Sequence, residues 1–267
     1  MGVRYPAVSG QFYPNDPSEL EAILESCFRG IEIKPDERIL GAVVPHAGYI
    51  YSGKVAASVF AKLPAVSTYI ITCPNHHGAG SLVAASRDTW STPFGKVRVD
   101  REMVDALPRR IIDLDETAHR YEHSAEVQIP FLQYLFEDFM ILPISIGIRD
   151  EETAMEVGME IKYAIDATGR DAVILASSDF THYAPDKVAR INDHYAIEPI
   201  LKLDVSTFYR RIYERGITAC GVDPIGAMLT ATRALGAEEG ELVMYATSGD
   251  VSGDFTSVVG YAGIVIR

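Results

Sequence analysis

Asp171-Ala172-Val173-Ile174-Leu175-Ala176-Ser177 is a short, largely apolar run rich in branched residues, and Ser178-Asp179-Phe180-Thr181-His182-Tyr183 follows it at once. The run is continuous rather than alternating, which suits a strand buried on both faces of a parallel sheet. Residues 39 to 45, 68 to 74 and 139 to 145 have the same character. Around them, segments 17 to 29 after Asp16, 53 to 62, 124 to 136 and 150 to 167 read as helices. The last opens with Asp150-Glu151-Glu152, acidic groups at the positive end of the helix dipole. Strand and helix alternate, and the alternation predicts an α/β fold: three αβα layers with a mostly parallel central sheet.

Residues 82 to 99, with Trp90, Pro93, Gly95 and alternating Val97 and Val99, read as a small meander set on the side of that sheet. Residues 187 to 214 and 224 to 235 read as helices, and 241 to 247 and 257 to 266 as closing strands. No Pro/Ser linker, low-complexity tract or repeat marks a boundary, so a single domain over residues 1 to 267 is expected. With 48% hydrophobic and 23% charged residues the chain can bury enough surface to offset its ordering entropy. A formal charge of -13 argues against nucleic acid or an anionic membrane as partner, because phosphate-neutralising Lys and Arg are in deficit. The three cysteines, Cys27, Cys73 and Cys220, have no CxxC spacing, so neither a disulfide framework nor a zinc ribbon is written here. No apolar stretch approaches the ~20 residues a bilayer span requires. A reducing cytoplasm is the expected location.

Ligands of open α/β sheets sit beyond the carboxyl ends of the strands, so the polar residues that follow each run carry the functional signal. The first run leads into His46-Ala47-Gly48-Tyr49, the second into Asn75-His76-His77-Gly78, and the run at 171 to 177 into Asp179 and His182. Four of the seven histidines thus follow three expected strands. Adjacent residues of extended chain point opposite ways, so one of His76 and His77 faces inward, and the pattern alone does not choose. Cys220 lies in a Gly/Pro turn before an apolar helix, where the amide dipoles favour thiolate, the form that attacks or binds metal. Cys27 and Cys73 sit in apolar patterns and read as core. Two imidazoles and a thiolate make a three-donor site with a position open for water or substrate, and they suit iron, copper or zinc better than magnesium or calcium. Asp179 and His182 would then orient ligands or move protons. His119 and His123 are four apart, but Arg120 stands where a zinc metalloprotease helix requires Glu. His123, in Glu122-His123-Ser124-Ala125-Glu126, reads either as a site residue or as part of a cap. GxGxxG, P-loop and GxSxG patterns are absent.

Val44-Pro45-His46-Ala47-Gly48-Tyr49, Pro74-Asn75-His76-His77, Glu122-His123-Ser124, Ser177-Ser178-Asp179-Phe180-Thr181-His182 and Cys220-Gly221-Val222-Asp223-Pro224-Ile225-Gly226 together resemble the Memo family, in order and over nearly the whole chain. The resemblance implies a fold similar to that of class III extradiol ring-cleaving dioxygenases. It also implies metal-site positions at His46, His76 and Cys220, with Asp179 and His182 beside them; these two and His123 are the catalytic candidates. Cys220 stands where those dioxygenases use a carboxylate, and an oxidisable thiolate alters charge donation to iron, so ring cleavage does not follow. The family is linked in animals to phosphotyrosine-peptide binding and to copper or iron handling, and in microbes to a neighbouring radical-SAM protein. Two expectations follow. One is an iron- or copper-dependent oxidoreductase-like enzyme with a small-molecule ligand. The other is a non-catalytic module holding a peptide or a metal ion in the same cleft, with Phe12, Tyr49 and Tyr51 as aromatic walls.

Overall fold

A computed structural model describes residues 2–267. In chain order the elements are β1 (Val3–Arg4), α1 (Pro17–Phe28), β2 (Gly41–Val44), α2 (Tyr49–Phe60), β3 (Thr68–Pro74), β4 (Val83–Ala85), β5 (Thr89–Thr92), β6 (Gly95–Val97), α3 (Arg101–Ala106) and β7 (Asp113–Leu114). Then follow α4 (Ile129–Leu135), β8 (Met140–Ile146), α5 (Glu151–Thr168), β9 (Ala172–Ser177), β10 (His182–Ala184), α6 (Asp186–Leu201), α7 (Val205–Arg215), α8 (Val222–Ala234), β11 (Gly240–Thr247), α9 (Gly249–Ser252) and β12 (Val258–Ile266).

The main sheet runs β10-β12-β2-β9-β3-β8-β4-β7, with β11 paired to β12. Its centre, β2-β9-β3-β8, is parallel, as the continuous apolar runs predict. The strands added outside it, β12 beside β2 and β4 beside β8, are antiparallel. Every residue of β2 and β3 is buried, which is the environment in which branched side chains fit a pleated surface from both sides. Helices cover both faces: α8 packs on β2, β3 and β9 with α5 against it, and α2 packs on β2, β11 and β12 with α1 against it. This is the mixed α/β architecture expected.

Helix boundaries follow local chemistry. Asp16 accepts hydrogen bonds from Ser18 N and Glu19 N with Pro17 at the first turn of α1, and Asp150 accepts from Thr153 N to start α5. Gly169 ends α5 at φ 64°, in the left-handed region that glycine enters without penalty.

Two regions differ from expectation. The segment 124 to 136 is not helical throughout. Its first part is irregular with a 3-10 turn at Glu126–Gln128, and only Ile129–Leu135 is α-helix. The cause is local competition, since the Glu122 carboxylate takes both the Ser124 N–H and the Ser124 hydroxyl. The 82 to 99 segment is divided: β4 joins the main sheet, whereas β5 and β6 form a separate three-stranded sheet with β1.

Candidate metal centre

β2, β9 and β3 are neighbours in the sheet, and the chain leaving their carboxyl ends supplies the polar groups. His46 follows β2 and is buried. Its N–H donates to Asp179 Oδ1 at 2.8 Å, and its Nδ1 lies 2.9 Å from Ser177 Oγ, the last residue of β9. The in-register pairing of Val44 with Ser177 brings these two strand ends together. His76 follows β3, with its backbone N–H on Glu122 Oε2 at 2.6 Å and its Nδ1 2.9 Å from Glu122 Oε1. His123 arrives from the irregular turn before α4, with Nδ1 3.4 Å from that same Oε1.

The three rings cluster edge to face and stacked, with centroids 5.2 Å apart for His46 and His76, 5.3 Å for His46 and His123, and 4.8 Å for His76 and His123. One ligand atom from each lies within 4.8 Å of the others. Cys220, just before α8, brings Sγ to 3.2 Å from His46 Nε2. The sulfur stands beside that trio rather than within it. Both His76 and His77 are solvent-accessible, but only His76 joins the cluster, so it is the member of the pair turned to the site.

The Cys220 turn is fixed from several sides. Cys220 N donates to the Asp179 carbonyl at 3.2 Å, Asp179 N donates to Cys220 Sγ at 3.2 Å, and Gly221 N donates to Ser178 Oγ at 3.0 Å. Arg149 Nη2 holds the Ala219 carbonyl at 2.7 Å. Residue 221 must be glycine for this approach, because a Cβ there would lie 2.4 Å from the Ser177 carbonyl oxygen and 2.5 Å from Ser178 Cβ.

Electrostatics at the centre are set by burial. His46 is held well below the ordinary imidazole range by burial, with His123 and His76 adding to the effect. Burial lowers His123 to about 4 against the opposing Glu122 charge. For Glu122, burial alone would raise the carboxyl, but the hydrogen bond and charge of His76 and the Ser124 hydrogen bonds outweigh it and hold it well below the usual carboxylate range. Burial raises Asp179 against the N–H groups of His46 and Ala47. Cys220 departs from the helix-dipole expectation: burial, then the neighbouring Asp179, push its thiol up. Desolvation here outweighs the amide dipoles that favour thiolate.

His182 opens β10 at the rim, half-buried, with Nδ1 2.8 Å from the Thr218 carbonyl and its backbone N–H on Thr218 Oγ1 at 2.8 Å. Asp179 is buried, with Oδ2 4.0 Å from His46 Nε2. The expected aromatic walls separate. The Phe12 ring lies 4.8 Å from His123 and Tyr51 is exposed at the surface. Tyr49 instead lies in the core, its hydroxyl on the Val127 carbonyl at 2.7 Å, between Tyr13 and Phe131. His119 parts from His123, because the chain between them is not helical. It is buried against Trp90 with Nε2 3.0 Å from the Ala84 carbonyl. Glu122, Ser177 and Gln128 received no role from the sequence. The available signals were a lone acid before His123 and a hydroxyl ending an otherwise apolar strand.

The Memo-like protein family model matches residues 4–265. The chain belongs to the Memo family. A MEMO1 family protein of Methanosarcina barkeri is 54% identical over 266 residues, covering 99% of this chain and 100% of that one. One from Methanococcoides burtonii is 55% identical over 266 residues with the same coverage, and one from Archaeoglobus fulgidus is 50% identical over 265 residues, 99% of this chain and 100% of its own. Among solved structures, an uncharacterized protein from Escherichia coli K12 superposes with a TM-score of 0.52 at 12% identity, covering 85% of this Memo chain and 99% of that one. That likeness concerns the fold. No helix among the described residues is long and apolar enough to cross a membrane.

Proposed function

We propose that this Memo-family protein binds a transition-metal ion, iron or copper, through His46, His76 and Cys220, with His123 as a further imidazole at the same point, and that it acts on a small molecule as an oxidoreductase-like enzyme. The observation that carries the reading is the meeting of Cys220 Sγ with His46 Nε2 at 3.2 Å beside two more imidazoles, all from separate elements. The donor chemistry fits such an ion. Neutral imidazole and thiolate are the ligand forms of borderline and soft metals, and burial keeps His46 and His123 neutral. Zinc fits the same donors.

A bound iron or copper ion would supply electron transfer and polarisation of a ligand oxygen or sulfur. The chain's own residues do the rest. Asp179 anchors the His46 backbone and the Cys220 turn. His182 gives Nδ1–H to Thr218 O, which leaves Nε2 as its proton-accepting atom at the rim. Phe12 shields one side of His123 from water.

Titration calorimetry with Fe(II) without oxygen and with Cu(I) tests the reading. Cys220→Ala is expected to weaken both by tenfold or more, and affinities equal to wild type would remove it. His182→Ala is expected to keep affinity and to abolish turnover of a catechol or thiol panel. Tight binding without turnover in the wild type would favour the non-catalytic module instead.

A further inference from the structure

The direction of the hydrogen bonds around the imidazoles is fixed by what each partner has left to give. The Ser177 hydroxyl donates to the Ser124 carbonyl at 2.7 Å and accepts Gln128 Nε2–H at 2.9 Å. The Gln128 amide cannot be turned over, because the same nitrogen also reaches the Pro45 carbonyl, a pure acceptor, at 3.0 Å. With its single proton committed to Ser124, Ser177 Oγ meets His46 Nδ1 at 2.9 Å as an acceptor, so Nδ1 carries the hydrogen.

The same logic holds at His76. Glu122 is fully buried and surrounded by donors: the backbone N–H of His76 at 2.6 Å, and the N–H and hydroxyl of Ser124 at 2.9 and 2.7 Å. An ionised carboxylate accepts only, so the 2.9 Å contact from Oε1 to His76 Nδ1 again places the hydrogen on Nδ1. His123 Nδ1 approaches that oxygen more loosely, at 3.4 Å.

We propose that Ser177 and Glu122 are the positioning residues of the centre: they lock His46 and His76 in the Nδ1–H tautomer and commit both Nε2 lone pairs to the space shared with Cys220. The cation's part in this rests on the proposed function, whereas the tautomer lock stands without any ion. Gln128 acts one bond further out, because its donation to Ser177 reinforces that oxygen as an acceptor for His46. Ring orientation and tautomer set by such partners are known to govern how well imidazole serves a metal.

The test is imidazole 15N NMR on the metal-free protein, which distinguishes the two neutral tautomers directly. Nδ1–H at both His46 and His76 is expected in the wild type, and Nε2–H at either ring overturns the proposal. Ser177→Ala removes one oxygen and is expected to move His46 toward Nε2–H while His76 keeps its tautomer. Glu122→Ala is expected to do the converse. An unchanged His46 in Ser177→Ala overturns the proposal even if Glu122→Ala does not fold. Zinc titration of the Ser177→Ala sample is expected to show affinity weakened roughly 10- to 100-fold. Wild-type protein with both expected tautomers that takes up neither zinc, iron nor copper supports the lock and removes the metal reading, so the two fail separately.

Discussion

Glu122 and Glu126 are four residues apart in one short stretch, and both are completely buried, yet they serve opposite ends. Glu122 faces the imidazoles of His76 and His123 and the Ser124 hydroxyl, on the side of the histidine cluster. Glu126 faces partners that hold their protons at neutral pH: the Arg4 guanidinium, the backbone N–H groups of Ala7 at 2.7 Å and Val8 at 3.1 Å, and the Tyr13 hydroxyl at 2.6 Å. Arg4 in turn lies over Trp90 and binds the carbonyls of His119 and Glu122. One carboxylate holds the histidine cluster, and the other ties the N-terminal segment, with Phe12 on it, to the turn that carries His123. Burial alone therefore does not tell the two acids apart; their partners do.

Glu126→Ala leaves the Arg4 charge buried without its carboxylate, and a loss of about 3–5 kcal/mol in urea unfolding is expected, with His76 still in its Nδ1–H tautomer. A stability change below about 1 kcal/mol would place this pair among the energetically idle ones. A buried histidine just before this stretch gives the next largest effect. His119, held to about 4 by burial, binds its proton in the unfolded chain near 6.5 but in the folded chain only near 4. The unfolded state therefore holds more protons between those values, and stability falls as pH drops through that window by on the order of 3 kcal/mol. Calorimetric Tm against pH should show this slope in the wild type and a shallower one in His119→Gln, which retains a donor for the Ala84 carbonyl.

Smaller effects separate the centre from the scaffold. Gly221→Ala drives a methyl into the Ser177 carbonyl, and about 1–3 kcal/mol of destabilisation is expected together with weaker metal binding, because Cys220 must shift. Asp150→Ala removes the cap of α5, with about 1 kcal/mol lost and metal affinity unchanged. An affinity change in Asp150→Ala would mean that the Cys220 turn is coupled to α5 through the Asp150 N–H bond to Asp223 at 2.8 Å.

The sheet was legible because burial on both faces writes a continuous apolar run: the runs at 39 to 45, 68 to 74 and 171 to 177 contain β2, β3 and β9, and the run at 139 to 145 covers all of β8 but its last residue. That His46 would meet one of His76 and His77 followed from strand ends, whereas the choice of His76 did not. The short strands β1, β7 and β10 were not legible, since two or three residues carry no period. His123 was left open because its turn is shaped by Glu122, a contact between neighbours that no periodicity encodes. The raised Cys220 thiol was missed for a related reason: a helix start is visible in sequence, whereas the neighbours that desolvate the sulfur there are not.

The hydrogen-bonded pair Cys220 and His46 is separated by 174 residues, and β12, which follows Cys220, is the strand that flanks β2. Domains emerge from the ribosome amino-terminal end first. A nascent chain therefore carries His46, His76 and His123 long before it carries the sulfur, and the strand that seals that side of the sheet is made later still. On the proposed reading, an ion held jointly by the sulfur and the imidazoles would be a late acquisition, made on a finished cleft rather than on a growing chain.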